Sequence, residues 1–183
     1  MGYDAHTNQL VPYGGFDDDY PLGDTWIWNG TDWKDAHATN PRDNSGEMAY
    51  DAANKELTLF GSDGEVINTW NGSDWVEHHP AGHPYGRDRG TMSYDPQIGQ
   101  VVLVTGGNAE HPFQDDTWTW NGTTWNRLPT AANPPPRWHA VMDYDANSNK
   151  LVLFSGSDKD FKDLTDTWTL NVTPGSHDAP GSR

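Results

Sequence analysis

Residues 116–125 read D-T-W-T-W-N-G-T-T-W. Trp118 and Trp120 stand two apart, so on a strand they share one face. Asn121-Gly122 is a strong hairpin signal and predicts a type I′ turn, with positive φ at both residues. Thr124 and Trp125 then begin a returning strand. The stretch is predicted to be a β-hairpin with an aromatic face. An isolated hairpin is marginal in water, so that face needs a second surface. Nearly the same text recurs as D-T-W-I-W-N-G-T-D-W at 24–33, N-T-W-N-G-S-D-W at 68–75 and D-T-W-T-L-N at 166–171. The recurrence identifies the second surface as the next copy.

A longer frame surrounds each hairpin. M-G-Y-D, M-A-Y-D, M-S-Y-D and M-D-Y-D start at Met1, Met48, Met92 and Met142, steps of 47, 44 and 50 residues. Nine residues after each Met a second strand is predicted, at Leu10, Leu57, Val101 and Leu151. These strands read L-V-P-Y-G-G, L-T-L-F-G-S, V-V-L-V-T-G-G and L-V-L-F-S-G. A variable polar loop, the Trp hairpin and a Pro-rich linker complete the unit. Each repeat thus holds four short strands, here a to d, and four strands at a period near 50 fit a propeller blade. The mostly small residue between Met and Tyr (Gly2, Ala49, Ser93, Asp143) suits a crowded innermost strand. Blades are placed at about 1–47, 48–91, 92–141 and 142–173, with 174–183 as a flexible tail.

Composition excludes several function classes. Apolar residues are 33% of the 183, yet aromatics reach 12%, which argues against disorder. A net charge of −16 without a basic stripe argues against nucleic acid. The absence of cysteine excludes disulfides, thiolate metal sites and cysteine nucleophiles. No apolar stretch approaches the length of a membrane helix.

The order Y-D, L-V-L-F-G-G, D-T-W-x-W-N-G-T-x-W and P-P-P-R resembles the kelch repeat in its bacterial extracellular form, over about residues 1–173. The resemblance implies an all-β kelch-type β-propeller, secreted or at the cell surface. It implies a closed ring of about six or seven blades, within the known range for propellers. Four repeats, the last without its final Trp strand, are then expected to be completed by additional blades or a second copy, or to close directly as a small ring. Departures are F-G-S and the missing D-T-W lead in repeat 2, and S-G-S in repeat 4. The family includes galactose-oxidase-like copper radical enzymes, whose tyrosine–cysteine cofactor this cysteine-free chain lacks the residue to form.

Arg42, Arg87 and Arg137 fall at matching places, six, five and five residues before the next Met. On a shared loop face they could hold an anion or a sugar acid. Their repetition favours a structural role, as ion pairs with an Asp or stacking on an indole. Trp138 and His139 follow only Arg137 and are the better ligand-binding candidates. His78, His79 and His83 (H-H-P-A-G-H) are weak metal candidates, because Pro80 and Pro84 make the segment a loop. Acidic loops at 16–20, 115–116 and 157–163 match no EF-hand spacing and allow only adventitious calcium. Asn29, Asn71, Asn121 and Asn171 each open an N-x-S/T triplet, and three of the four are the hairpin Asn-Gly, which turn chemistry accounts for without glycans. No nucleophile elbow or phosphate loop is present. The favoured function is a non-catalytic module presenting its loops to a protein or glycan. The alternative is an epimerase-like, sugar-active enzyme with an Arg/His-lined mouth.

Overall fold

A computed structural model describes residues 1–18, 20–41, 46–129 and 134–170. Arg42, Asn171 and the 174–183 tail lie outside the described residues. The chain is all-β and forms consecutive antiparallel sheets, one per repeat. The first contains β1 (Gly2–Asp4), β2 (Gln9–Val11), β3 (Tyr13–Asp17), β4 (Tyr20–Trp28) and β5 (Trp33–Asp35). The second contains β6 (Gly46–Asp51), β7 (Glu56–Gly61), β8 (Ile67–Trp70) and β9 (Trp75–His78). The third contains β10 (Thr91–Asp95), β11 (Gln100–Val104), β12 (Thr117–Trp120) and β13 (Trp125–Leu128). The fourth, among the described residues, contains β14 (Val141–Asp145), β15 (Lys150–Phe154) and β16 (Thr167–Leu170). No helix among the described residues is long and apolar enough to cross a membrane.

The Tyr-Asp of each frame builds the a–b turn. Asp4 Oδ1 accepts from His6 N at 2.9 Å, Asp51 Oδ1 from Ala53 N at 3.0 Å, Asp95 Oδ1 from Gln97 N at 2.9 Å and Asp145 Oδ1 from Asn147 N at 3.0 Å. Each is an Asx turn, in which a short side-chain acceptor replaces a backbone one.

The c–d turn differs from its expected type. Trp120 pairs with Trp125, so the loop has four residues, and of its Asn-Gly only Gly122 has positive φ, at 94°. Asn121 Oδ1 accepts from Thr123 N at 3.0 Å and Thr124 N at 2.9 Å. The asparagine therefore acts through its side chain and needs no left-handed backbone, which the type I′ reading required. Asn29 and Asn71 make the same pair of bonds in their own turns.

The first repeat also departs from the frame. Pro12 has no N–H for the ladder, and it separates β2 from β3. β3 pairs instead with an extended β4 through an irregular register between Tyr13 and Gly15. Of the acidic segment at 16–20, Phe16 and Asp17 thus end one strand of a hairpin arm and Tyr20 starts the other, with Phe16 and Tyr20 exposed.

Cross-strand partners share a face, so the registers define two faces per sheet. One carries Tyr50–Leu57–Trp70–Trp75 in the second sheet and Tyr94–Val101–Trp120–Trp125 in the third. It is buried against the preceding sheet. The other face carries Ser93–Val102–Thr119 and Thr91–Val104–Thr117 in the third sheet. It is buried against the following sheet. Leu57, Trp70 and Trp75 pack with Val11 and Tyr13; Val101, Trp120 and Trp125 with Phe60 and Ile67; Leu151, Leu153 and Leu170 with Val102 and Val104. Gly2 is small because a Cβ there would lie 2.6 Å from Leu57 Cδ2. The core is therefore a set of inter-sheet layers. Among the described residues no strand of the first sheet touches a strand of the fourth, so direct closure of repeat 4 onto repeat 1 is not the arrangement adopted.

Candidate functional site

The linkers and b–c loops lie together at one end, away from the Asn-Gly turns. The linker residue Trp138 bridges to Ser157 in the loop after β15, and Asp88 bridges to Gly107 in the loop after β11. At the opposite end, c–d turns meet a–b turns of the preceding sheet: a Cβ on Gly122 would lie 2.4 Å from Asn54 Nδ2, and one on Gly72 2.9 Å from Thr7 Cγ2. An even number of strands per repeat produces this separation.

Arg87 and Arg137 are fully buried. Arg87 donates from Nη1 to Thr105 O at 3.1 Å and Asp116 Oδ1 at 3.0 Å, and from Nη2 to Gln114 Oε1 at 2.6 Å. Arg137 donates from Nη1 to Ser155 O at 2.9 Å and Asp166 Oδ1 at 2.6 Å, and from Nη2 to Asp166 Oδ2 at 2.9 Å. Each guanidinium ties a linker to the following sheet, the ion-pair role that repetition favoured. Each acceptor is the Asp of D-T-W, whose second partner is the indole two residues on: Trp118 Nε1 reaches Asp116 Oδ2 at 2.7 Å and Trp168 Nε1 reaches Asp166 Oδ2 at 2.6 Å. Arg137, followed by the Trp168 indole, holds the Asp166 carboxyl well below the usual carboxylate range. The Asp–Trp half of this device was visible as a motif, but its link to a distant arginine was not. The two buried guanidinium groups do not line an open mouth.

Trp138 and His139 are placed differently. Trp138 is half-buried and His139 exposed. The Trp138 ring stacks on Phe113 at 4.3 Å and 25°, meets Phe161 at 5.5 Å and lies beneath the Arg89 guanidinium at 5.2 Å. Its Nε1 donates to Pro112 O at 2.9 Å, which fixes the ring. His139 N donates to Arg89 O at 3.0 Å, joining two successive linkers. Nearby, Tyr85 stacks on His111 at 3.9 Å. Phe113, Phe161, Tyr85 and Arg89 were not singled out from sequence, since isolated loop aromatics carry no periodicity.

The backbone at this end is strained. Arg89, His139 and Phe161 have φ of 59°, 57° and 59°, a region that bulky residues rarely enter. Phe161 is nevertheless 71% exposed. The turn holding it is closed by Asp158 Oδ1, which accepts from Asp160 N at 2.9 Å and Lys162 N at 3.0 Å. Strain that presents an aromatic ring to solvent, rather than to the core, is a feature of binding surfaces.

The three histidines have separate partners. His78 Nε2 meets Thr69 Oγ1 at 2.9 Å, His79 Nε2 meets Glu77 Oε1 at 2.8 Å, and His83 Nδ1 donates to Pro84 O at 3.1 Å. Burial, and then the charge of His79, lower the His78 pKa. Among the described residues no three metal-type side chains converge.

In comparison with known proteins, no family model matches the chain and no curated protein matches it significantly.

Proposed function

We propose that the four sheets are blades of a kelch-type β-propeller arc, and that its linker and b–c loop end is a non-catalytic surface for a glycan. The repeated-sheet architecture fits a propeller in general, and the sequence frame supplies the kelch type. The observation that carries the binding reading is the aromatic platform in which half-buried Phe113 and Trp138 meet the exposed Phe161, with Arg89 over the Trp138 ring. Aromatic rings with apolar faces accept the C–H faces of a sugar. Glu110, Asp115, Lys159 and Asp160, exposed in the same b–c loops as Phe113 and Phe161, offer acceptors and a donor to its hydroxyls. With the Trp138 ring fixed by its bond to Pro112 and by stacking on Phe113, the platform recognises without large ordering cost. A glycan-binding role is consistent with a secreted or cell-surface location.

A glycan array, followed by calorimetry on the oligosaccharides retained, tests the reading. Trp138→Ala should weaken binding roughly tenfold or more, about 1.4 kcal/mol, while Trp26→Ala, on the first sheet, leaves it unchanged. Equal binding by the Trp138→Ala chain removes the platform from the account. Retention of no glycan, with a protein ligand competing for Trp138 instead, shifts the partner class to protein.

A further inference from the structure

The outer faces of the first and fourth sheets are the two halves of an interface that the molecule already forms three times. On the first sheet, register places Tyr3, Leu10, Trp28 and Trp33 in one row. This is the same row as Tyr50–Leu57–Trp70–Trp75 and Tyr94–Val101–Trp120–Trp125. Trp33 is 42% exposed, where Trp75 is 6% and Trp125 is 5%. On the fourth sheet, Asp143–Val152–Thr169 and Val141–Phe154–Thr167 repeat the layout of Ser93–Val102–Thr119 and Thr91–Val104–Thr117. Phe154 is 49% exposed, where Val104 is 1% and its counterpart Phe60 is 0%. Val141, Asp143, Val152 and Phe154 line a cleft of about 600 Å³.

The turns tell the same story. Gly122 and Gly72 each sit against the a–b turn of the preceding sheet, at Asn54 and Thr7. Gly30, the equivalent residue of the first sheet, has open space around it. A surface with the residues, register and turn geometry of a formed interface fits the partner of that interface. The interfaces formed within the chain each pair two unlike faces, so the same pairing between copies runs head to tail.

We propose that two copies of this chain associate head to tail, the first sheet of each seated on the fourth sheet of the other, giving a ring of eight sheets. Eight is within the range of closed propellers. The inference rests on the sheet faces and is independent of what the loop end binds.

Light scattering should give a species of twice the 20.4 kDa chain mass. The chain has no cysteine, so placed thiols report geometry cleanly. Gly30→Cys and Ser148→Cys introduce thiols where the c–d turn of one copy meets the a–b turn of the other. An equimolar mixture of the two single variants should oxidise to a covalent pair, with each variant alone remaining uncrosslinked. The internal pair Thr7→Cys with Gly72→Cys, in one chain, should close within the chain and serves as the geometric control. A wild-type mass of one chain at all concentrations overturns the proposal. So does cross-linking of Gly30→Cys with itself, which marks a face-to-face dimer, or a ladder of longer oligomers, which marks an open filament.

Discussion

Trp125 and Trp33 occupy the same place in two copies of one sequence unit, at the start of the d strand and opposite a c-strand tryptophan. Both lie about 5.3 Å from that partner ring, Trp120 at 5.4 Å and Trp28 at 5.3 Å. Trp125 also meets Phe60 of the preceding sheet edge-on at 5.1 Å, whereas the outer face of the first sheet has no preceding sheet against it. The intra-sheet environment is thus the same and the inter-sheet environment is not. The repeat encodes a face, and the neighbour decides whether the face is core or surface. The hydrophobic stabilisation belongs to the layers between sheets rather than to the sheets.

The largest expected effect follows from that contrast. Trp125→Ala removes a buried indole and leaves a cavity against Phe60, at a cost of about 3–5 kcal/mol. Trp33→Ala, measured by urea unfolding at a concentration where copies are separate, should cost less than about half of that. Equal losses break the comparison.

The two buried arginines come next. Arg87→Met leaves Asp116, whose side chain is only 12% exposed, with Trp118 Nε1 and the more distant Arg127 at 3.9 Å, and breaking such a buried pair costs about 3 kcal/mol. Arg137→Met leaves Asp166 with the Trp168 indole alone, but Asp166 is 43% exposed and can be hydrated, so its loss should be smaller. Acid unfolding distinguishes the pairs further. Because Arg137 lowers the folded Asp166 pKa, the pair stabilises the fold above the ordinary aspartate range, and the contribution is lost as pH falls through the folded value. Arg137→Met should therefore flatten the acid limb of a melting-temperature profile. An unchanged limb would place the acid sensitivity elsewhere.

Glu47 and Val141 make a third matched pair, opposite Phe60 and Phe154 on the faces that look to the following sheet. Val141 is 62% exposed, while burial pushes the Glu47 carboxyl up to about 7, against opposing help from the Met1 amine. A raised acid binds its proton more tightly when folded. Stability is therefore full below the unfolded value, near 4.5, and declines as pH rises towards 7. Glu47→Gln should remove that decline between about pH 4.5 and 7. A wild-type profile that rises over this window, with the variant unaltered, would mean that Glu47 is hydrated.

The smallest difference concerns the turns. Gly122→Ala and Gly30→Ala share the same left-handed penalty, at φ of 94° and 96°. Only the first drives a Cβ into Asn54. Gly122→Ala should lower stability more by about 1 kcal/mol, typical of mild overpacking. Identical losses would mean that Asn54 swings away freely.

How much of this was legible in the sequence depends on range. The frame was readable because period-2 alternation and a near-50-residue period are local signals: the expected second strands at Leu10, Leu57, Val101 and Leu151 fall on β2, β7, β11 and β15. The Asn-Gly turn was placed correctly but mistyped, because composition does not say whether Asn contributes its backbone or its side-chain oxygen. L-V-P-Y-G-G was read as one strand, which Pro12 divides, and the β3–β4 arm depends on which strand β4 pairs with, a tertiary choice. Trp138 and His139 were singled out because they depart from the repeat, whereas Phe113 and Phe161 lie in loops that share no frame with it. The Arg87–Asp116 and Arg137–Asp166 pairs span linker to loop, 29 residues apart, beyond any local pattern.

Matching tryptophan rows are core between sheets and surface on the first sheet. Hydroxyl-radical footprinting, read residue by residue by mass spectrometry, measures it directly on the dilute, unassociated chain. Trp33 should be oxidised far faster than Trp75 and Trp125, and its rate should fall towards theirs as the chain concentration rises. Equal rates for the three in the dilute chain would contradict the account.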